Sequence, residues 1–139
     1  MATFNSTLML TTQKAAPRVG GQAVTIYSEF VLTQAITADI IKMIPIPNGA
    51  RMLDWTLGSD DVDSNGAPTV ALSLGDSGSS TRYVSSSTIG QTGAAPVNAM
   101  LKTGYGNLYA ADDFIAITIT TGSATFAAGT VRCSVTYVI

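Results

Sequence analysis

From Gln22 onward, apolar residues recur at every second position in short runs. Turn residues cut these runs about every eight to twelve positions, the spacing of a sandwich or barrel. In QAVTIYSEFVL (22–32), Val24, Ile26, Phe30 and Leu32 share one face, with Ser28 the exception, while Thr25, Tyr27, Glu29 and Val31 share the other. A period of two sends successive side chains to opposite faces of a strand, so such a run is a strand with one face on a core. RMLDWTLGSD (51–60) groups Leu53, Trp55 and Leu57, and PTVALSLGD (68–76) groups Val70, Leu72 and Leu74. TRYVS (81–85) predicts a short strand. FIAITITTG (114–122) and TVRCSVTYVI (130–139) predict the last two, joined by a link in which Phe126 plugs the core.

The run ADIIKMIPIP (38–47) is also apolar. Pro45 and Pro47 lack an N–H for a ladder, so this piece ends at an edge or in irregular extended chain, and Asn48-Gly49 marks a turn. Residues 85–113 are the least regular part, with room for one helical turn in 94–103. No segment carries a period of 3.6. The pattern predicts an all-β chain folded as an antiparallel sandwich or barrel. Residues 1–21 differ: Thr, Ser, Asn, Gln, Pro17 and Gly20-Gly21 interrupt them, and the apolar cluster Leu8, Met9, Leu10 needs a cover. The expected organisation is an extended N-terminal arm over 1–21 and a β-sandwich domain over 22–139.

Chemical groups are scarce. Of 139 residues, 12% are charged, about half the usual share. There is no histidine, the commonest general base and metal ligand. A surface so poor in charge needs partners or copies of itself to cover it. The net charge of −2, with seven Lys and Arg scattered singly, argues against nucleic acid. No stretch has the length of a membrane span, and MATFNSTLMLTT lacks the basic and apolar regions of a signal peptide, so synthesis and folding in a cytoplasm are expected.

One stretch raises the question of a metal. GSDDVDSNGAP (58–68) holds Asp60, Asp61 and Asp63, and from Asp61 it spells D-x-D-x-N-G, the first half of a calcium loop. A complete helix–loop–helix site needs a glutamate at the twelfth position, which here is Leu72 in a strand. A looser calcium site on Asp60, Asp61 and Asp63, joined by Asp112 and Asp113 if those loops meet, is the minor alternative. The favoured reading is a solvated acidic hairpin turn with Asn65-Gly66 at its tip.

Other groups point away from catalysis. No triad can form without histidine. Adjacent Asp112 and Asp113 would point to opposite faces of a strand, and the glycine-rich GDSGSS has no Walker lysine. Cys133 alternates with Val131 and Val135 and reads as a small buried apolar residue, incapable of an internal disulfide. Trp55 is in phase with Leu53 and Leu57, which predicts core packing. Tyr105 and Tyr109 in the GYGNLY loop are either partner contacts or plugs of the loop. No enzymatic activity and no cofactor are expected.

IPIPNGARMLDWTLGSDDVDS resembles a segment of small virion proteins of tailed bacteriophages, in which apolar residues lead through a proline and a small-residue turn into a strand and an acidic turn. PTVALSLGD with TRYVSSSTIG resembles the next strand and loop, and YAADDFIAITITTGSATFAAGTVRCSVTYVI the C-terminal part. The likeness covers roughly 38–139. Such proteins are similar to head decoration, or cement, proteins. The resemblance therefore implies a jelly-roll-like β-sandwich on the capsid exterior that bridges major capsid subunits, with self-association as a trimer first and a dimer second. It implies partner contacts through Leu8, Met9, Leu10, Tyr105 and Tyr109, with neither nucleic acid nor membrane as partner. The rivals are a tail, baseplate or fibre component and a carbohydrate-binding β-sandwich module.

Overall fold

The computed structural model describes residues 2–6, 9, 21–35, 37–93 and 101–139. Within them lie β1 (Thr3–Asn5), β2 (Ala23–Leu32), β3 (Ile40–Ile46), β4 (Arg51–Ser59), β5 (Ala71–Gly75), β6 (Val84–Ser87), β7 (Asp113–Thr121) and β8 (Gly129–Val138), with a 3-10 turn at Ile89–Gln91. The protein is all-β. One sheet has the order β1-β3-β7-β5-β6 and the other β2-β8-β4. Only the β1–β3 pairing is parallel among the named strands.

The pairings nest. β2 pairs with β8, β3 with β7, and β5 with β6. Residues 106–109 run beside β4: Gly49 N–H donates to the Tyr109 carbonyl at 2.7 Å, Tyr109 N–H to Ala50 at 2.9 Å, Met52 N–H to Asn107 at 2.9 Å and Gly106 N–H to Met52 at 3.0 Å. Counting that segment and leaving β1 aside, the strands pair first with last, second with seventh, third with sixth and fourth with fifth. That nesting, folded into two sheets, is a jelly roll.

The core follows the sequence period. Along β8, Val131, Cys133, Val135 and Tyr137 are buried between the sheets and their neighbours face outward. Trp55 is also buried, its ring tilted on Tyr83 with centroids 4.9 Å apart and its Nε1–H donating to the Tyr83 carbonyl at 3.0 Å. Truncating it to alanine should cost about 3–5 kcal/mol.

Four details differ from the expectation. Leu53 is exposed while Met52 and Trp55 are buried, because the register with β8 shifts between Met52 and Asp54. A β-bulge adds one residue, and the period of two restarts behind it. The strand expected at 81–85 starts only at Val84, since 79–82 close a turn in which Asp76 N–H and Arg82 N–H both donate to the Ser79 carbonyl. Pro45 lies within β3, opposite Phe114. It is tolerated because β1 covers only Ile40–Lys42, leaving no ladder on that side at Pro45 among the described residues. Finally, of the expected arm, Thr3–Asn5 form β1 on the chain's own sheet, held by Ser6 N–H to the Lys42 carbonyl and Ser6 Oγ–H to that of Met43.

Candidate functional site

The acidic stretch is built differently from a solvated turn. Asp63 is 1% exposed. Its Oδ2 accepts the amides of Thr69 at 2.7 Å, Val70 at 3.1 Å and Ala124 at 2.9 Å, and its Oδ1 accepts that of Thr125 at 2.9 Å. Burial acts to raise its pKa, but these four amides outweigh it and hold the carboxyl well below the usual range. Asp60 faces Arg132 at 2.8 Å and accepts the Thr130 amide, and both contacts lower its pKa. Asp61 accepts the amide of Asp63 at 3.0 Å. The three carboxylates thus turn to different donors.

The second acidic pair does not join them. Asp112 accepts the Asn48 amide and Asp113 the Ser77 hydroxyl, both at the start of β7. Asp63 is bound just past the end of that nine-residue strand. At about 3.4 Å per residue, the two groups are roughly 27 Å apart along the sheet. Among the described residues, no cluster of three or more His, Cys, Asp or Glu could hold a metal ion.

The two loop tyrosines part company. Tyr105 is 69% exposed and Tyr109 only 5%. The Tyr109 hydroxyl donates to Asp76 Oδ2 at 2.8 Å and is hydrogen-bonded to the Tyr83 hydroxyl. Asp76 is itself buried, paired with Arg82 at 2.6 Å, and its Oδ1 accepts the Gly78 and Ser79 amides. Tyr109 is therefore the plug that ties 106–109 to the turn after β5. As an exposed partner contact it is corrected: its ring faces the core. Burial pushes Tyr83 up to about 12 and Tyr109 higher still. Beside this cluster lies an open depression of about 340 Å³ bounded by Arg82, Leu108, Asp112 and Asp113. Cys133 is buried, and desolvation raises its thiol pKa.

Of the arm residues singled out, Met9 is half-buried with its amide near Ser6 Oγ at 3.4 Å, while Leu8 and Leu10 lie outside the described residues. The surface also offers apolar groups that the motif reading passed over. Tyr27 and Val31 are 56% and 57% exposed on the outer face of β2, and Leu108 is 54% exposed beside β4. Arg51 and Leu108 bridge, so both lie on the outer face of the same sheet. The signal for Tyr27 and Val31 was present in the alternation itself, which put both on the face away from the core. Nothing local signals Leu108, because its strand is recognisable only by its pairing with 49–52.

No protein-family model matches the chain, and no curated protein matches it. Solved structures do. A chain in the capsid asymmetric unit of cyanophage Pam1 is 36% identical, with the match covering 91% of this chain and 93% of that one at a TM-score of 0.73. A chain in the capsid of Ralstonia phage GP4 superposes with a TM-score of 0.86 over 98% of this chain and 97% of that one, at 24% identity. One from the acidic stable capsid structure of Helicobacter pylori bacteriophage KHP30 gives 0.58 over 87% and 90%, at 11% identity. The last two show a shared fold.

Proposed function

The chain belongs to a family of phage capsid-associated proteins, and from that premise we propose that it decorates the outside of the head and stabilises it by bridging neighbouring major capsid subunits. Its role in the virion is structural. The observation that carries the proposal is the near full-length match to a chain of a phage capsid, on a self-contained jelly roll. The two buried carboxylates of this domain hold it together, Asp63 through backbone amides and Asp76 through Arg82 and Tyr109. A stiff module with a low-charge surface suits repeated docking on a lattice, where many weak contacts add up through avidity. Tyr105, exposed on its loop, is the aromatic anchor we assign to the capsid contact, with the N-terminal arm as a second.

A tail or baseplate position is the second reading. The two are separated by adding purified chain to expanded heads assembled without it and imaging the particles. Density over the outer surface of the head at full occupancy is the expected result, and binding confined to tails overturns the proposal. A carbohydrate-binding module is disfavoured, because Tyr109 is buried and the acidic turn is occupied by its own amides.

A further inference from the structure

We propose that Asn65 is a self-modifying site: the folded chain converts its side-chain amide to a carboxylate through a cyclic imide closed by the Gly66 nitrogen, while the fold protects Asn48 from the same reaction. The inference stands whether or not the chain lies on the outside of the head.

The tripeptide Asn-Gly-Ala occurs twice, at 48–50 and at 65–67. A glycine after asparagine carries no Cβ, so its amide nitrogen can reach the asparagine Cγ unhindered and close a five-membered ring. Equal local sequence makes the two sites alike in an unfolded chain. Any difference between them in the native protein is set by the fold.

At 48–50 the attacking nitrogen is tied down. Gly49 N–H donates to the Tyr109 carbonyl at 2.7 Å, and Tyr109 N–H returns a bond to Ala50 at 2.9 Å. Asn48 N–H is held by Asp112 at 2.9 Å. Gly49 itself is half-buried, with φ at +87°. Attack on Asn48 therefore requires this pairing to open first, which is a local unfolding.

At 65–67 nothing needs to open. Residues 64–67 are all exposed and lie outside the named strands. Among the described residues the Gly66 N–H has no hydrogen-bond partner, and apart from its chain neighbours no atom lies within 4 Å of where a Cβ would stand. The electrophile is prepared as well. Asn65 Oδ1 accepts the Ala67 amide at 2.9 Å, and Asn65 Nδ2 donates to Thr125 Oγ1 at 2.9 Å. The first bond draws electron density from the side-chain carbonyl and stabilises the negative oxygen that forms on attack, as an oxyanion donor does. The second sets a hydroxyl beside the nitrogen that leaves.

The reaction needs only water. The Gly66 nitrogen bonds to Asn65 Cγ and the Cγ–Nδ2 bond breaks. Nδ2 leaves as ammonia, carrying its own two hydrogens and the proton from Gly66. Water then opens the imide. Opening at the side-chain carbonyl gives aspartate, and opening at the main-chain carbonyl gives isoaspartate, in which the backbone runs through the former side chain. Either product loses the donor to Thr125 and adds a negative charge to a turn that already holds Asp60, Asp61 and Asp63.

The test incubates the full folded chain at mildly alkaline pH and maps its peptides by mass spectrometry, separating aspartate from isoaspartate by chromatography. Asn65 should convert at least about tenfold faster than Asn48, because Asn48 reacts only from a locally opened state. In guanidinium chloride the two should convert at similar rates. Gly66→Ala places a methyl in open space, so it should fold like the parent by circular dichroism and lose most of the conversion at 65. If that variant fails to fold, the comparison of 65 with 48 in the parent decides the matter. Equal rates at the two sites in the folded chain, faster conversion at 48, undiminished conversion in folded Gly66→Ala, or an Asn65 that stays intact while the unfolded control converts overturns the proposal.

Discussion

Asp63 Oδ2 accepts the backbone amide of Ala124 at 2.9 Å across 61 residues of chain. That bond, with those from Thr69, Val70 and Thr125, fastens the turn before β5 to the link between β7 and β8. Asparagine at this position would aim an amide donor at the N–H groups that now bond the carboxylate, and a buried unsatisfied donor is costly. Asp63→Asn should lower Tm by on the order of 10 °C, while Asp61→Asn, at an exposed site, should stay within about 0.5 kcal/mol of the parent. Because the Asp63 oxygens are already occupied, adding EDTA or calcium should leave Tm unchanged. Thermal melts of the two variants, and of the parent with and without EDTA, check all three outcomes.

The same carboxylate sets the acid limit. Its amide bonds outweigh the burial that acts to raise its pKa, so the native group sits far below the roughly 3.9 of an unfolded aspartate. The unfolded chain then binds the extra proton first. The contribution is complete above about pH 4 and is lost as pH falls toward the native value. Tyr83 works at the other limit. Burial raises it to about 12, so the unfolded chain, with tyrosine near 10, releases its proton first and stability falls as pH rises between those values. Urea midpoints measured from pH 2 to 11 should drop at both ends, with a shallower acid limb in Asp63→Asn.

Seven of the eight named strands, β2 to β8, and the core residues Trp55, Leu72, Leu74 and Val135 were legible in the apolar runs and their alternation, because each run carries its own inside and outside, while β1 was not. The bulge that ejects Leu53 was not. Leu53, Trp55 and Leu57 fit one face by number, and only the pairing with β8 shows where the count slips. Segment 106–109 shows no alternation of its own and lies beside β4 by virtue of its bonds to 49–52. The acidic stretch was read as solvated because Asp and Asn ordinarily cap turns, and two of the four amides that hold Asp63 come from residues 61 and 62 positions away. Likewise nothing near Tyr109 announces that Asp76 will meet its hydroxyl. Local periodicity reports faces. Contacts made across the chain decide which polar groups are structural.

Tyr137 tests the packing near the C-terminal end of β8. It is 0% exposed, and its hydroxyl has no hydrogen-bond partner among the described residues. Removing an unpaired buried hydroxyl relieves a desolvation cost, so Tyr137→Phe should be neutral or stabilising by up to about 1 kcal/mol. Tyr83→Phe, which breaks the bond with Tyr109, should instead cost about 1 kcal/mol. Chemical denaturation of both variants gives the comparison, and a clear loss in Tyr137→Phe would contradict it.

Deleting residues 1–21 removes β1 and with it the Phe4 ring, whose centroid is 6.0 Å from that of Phe30. The nested pairings from β2 to β8 do not use β1, so the shortened chain should still fold, with a Tm lower by several degrees. Its occupancy on expanded heads should fall by more than the stability loss explains if the arm reaches the capsid. Circular dichroism and particle imaging of one preparation measure both, and full decoration by the shortened chain would remove the arm from the contact.

The two tyrosines of one loop separate docking from folding. Tyr105→Ala touches an exposed ring and should leave Tm within about a degree of the parent, since surface truncations away from special features cost little. If Tyr105 is a capsid anchor, the same change should weaken binding to heads about tenfold or more, the scale of losing an aromatic hot spot. Tyr109→Ala should do the reverse. It empties a buried site and removes one of the donors to Asp76, a loss of roughly 3–5 kcal/mol in stability, while molecules that remain folded should bind heads normally. Melting temperature and head binding, measured together for both variants, place each ring. A Tyr105→Ala protein that decorates heads with parental affinity would move the contact to another surface of the jelly roll.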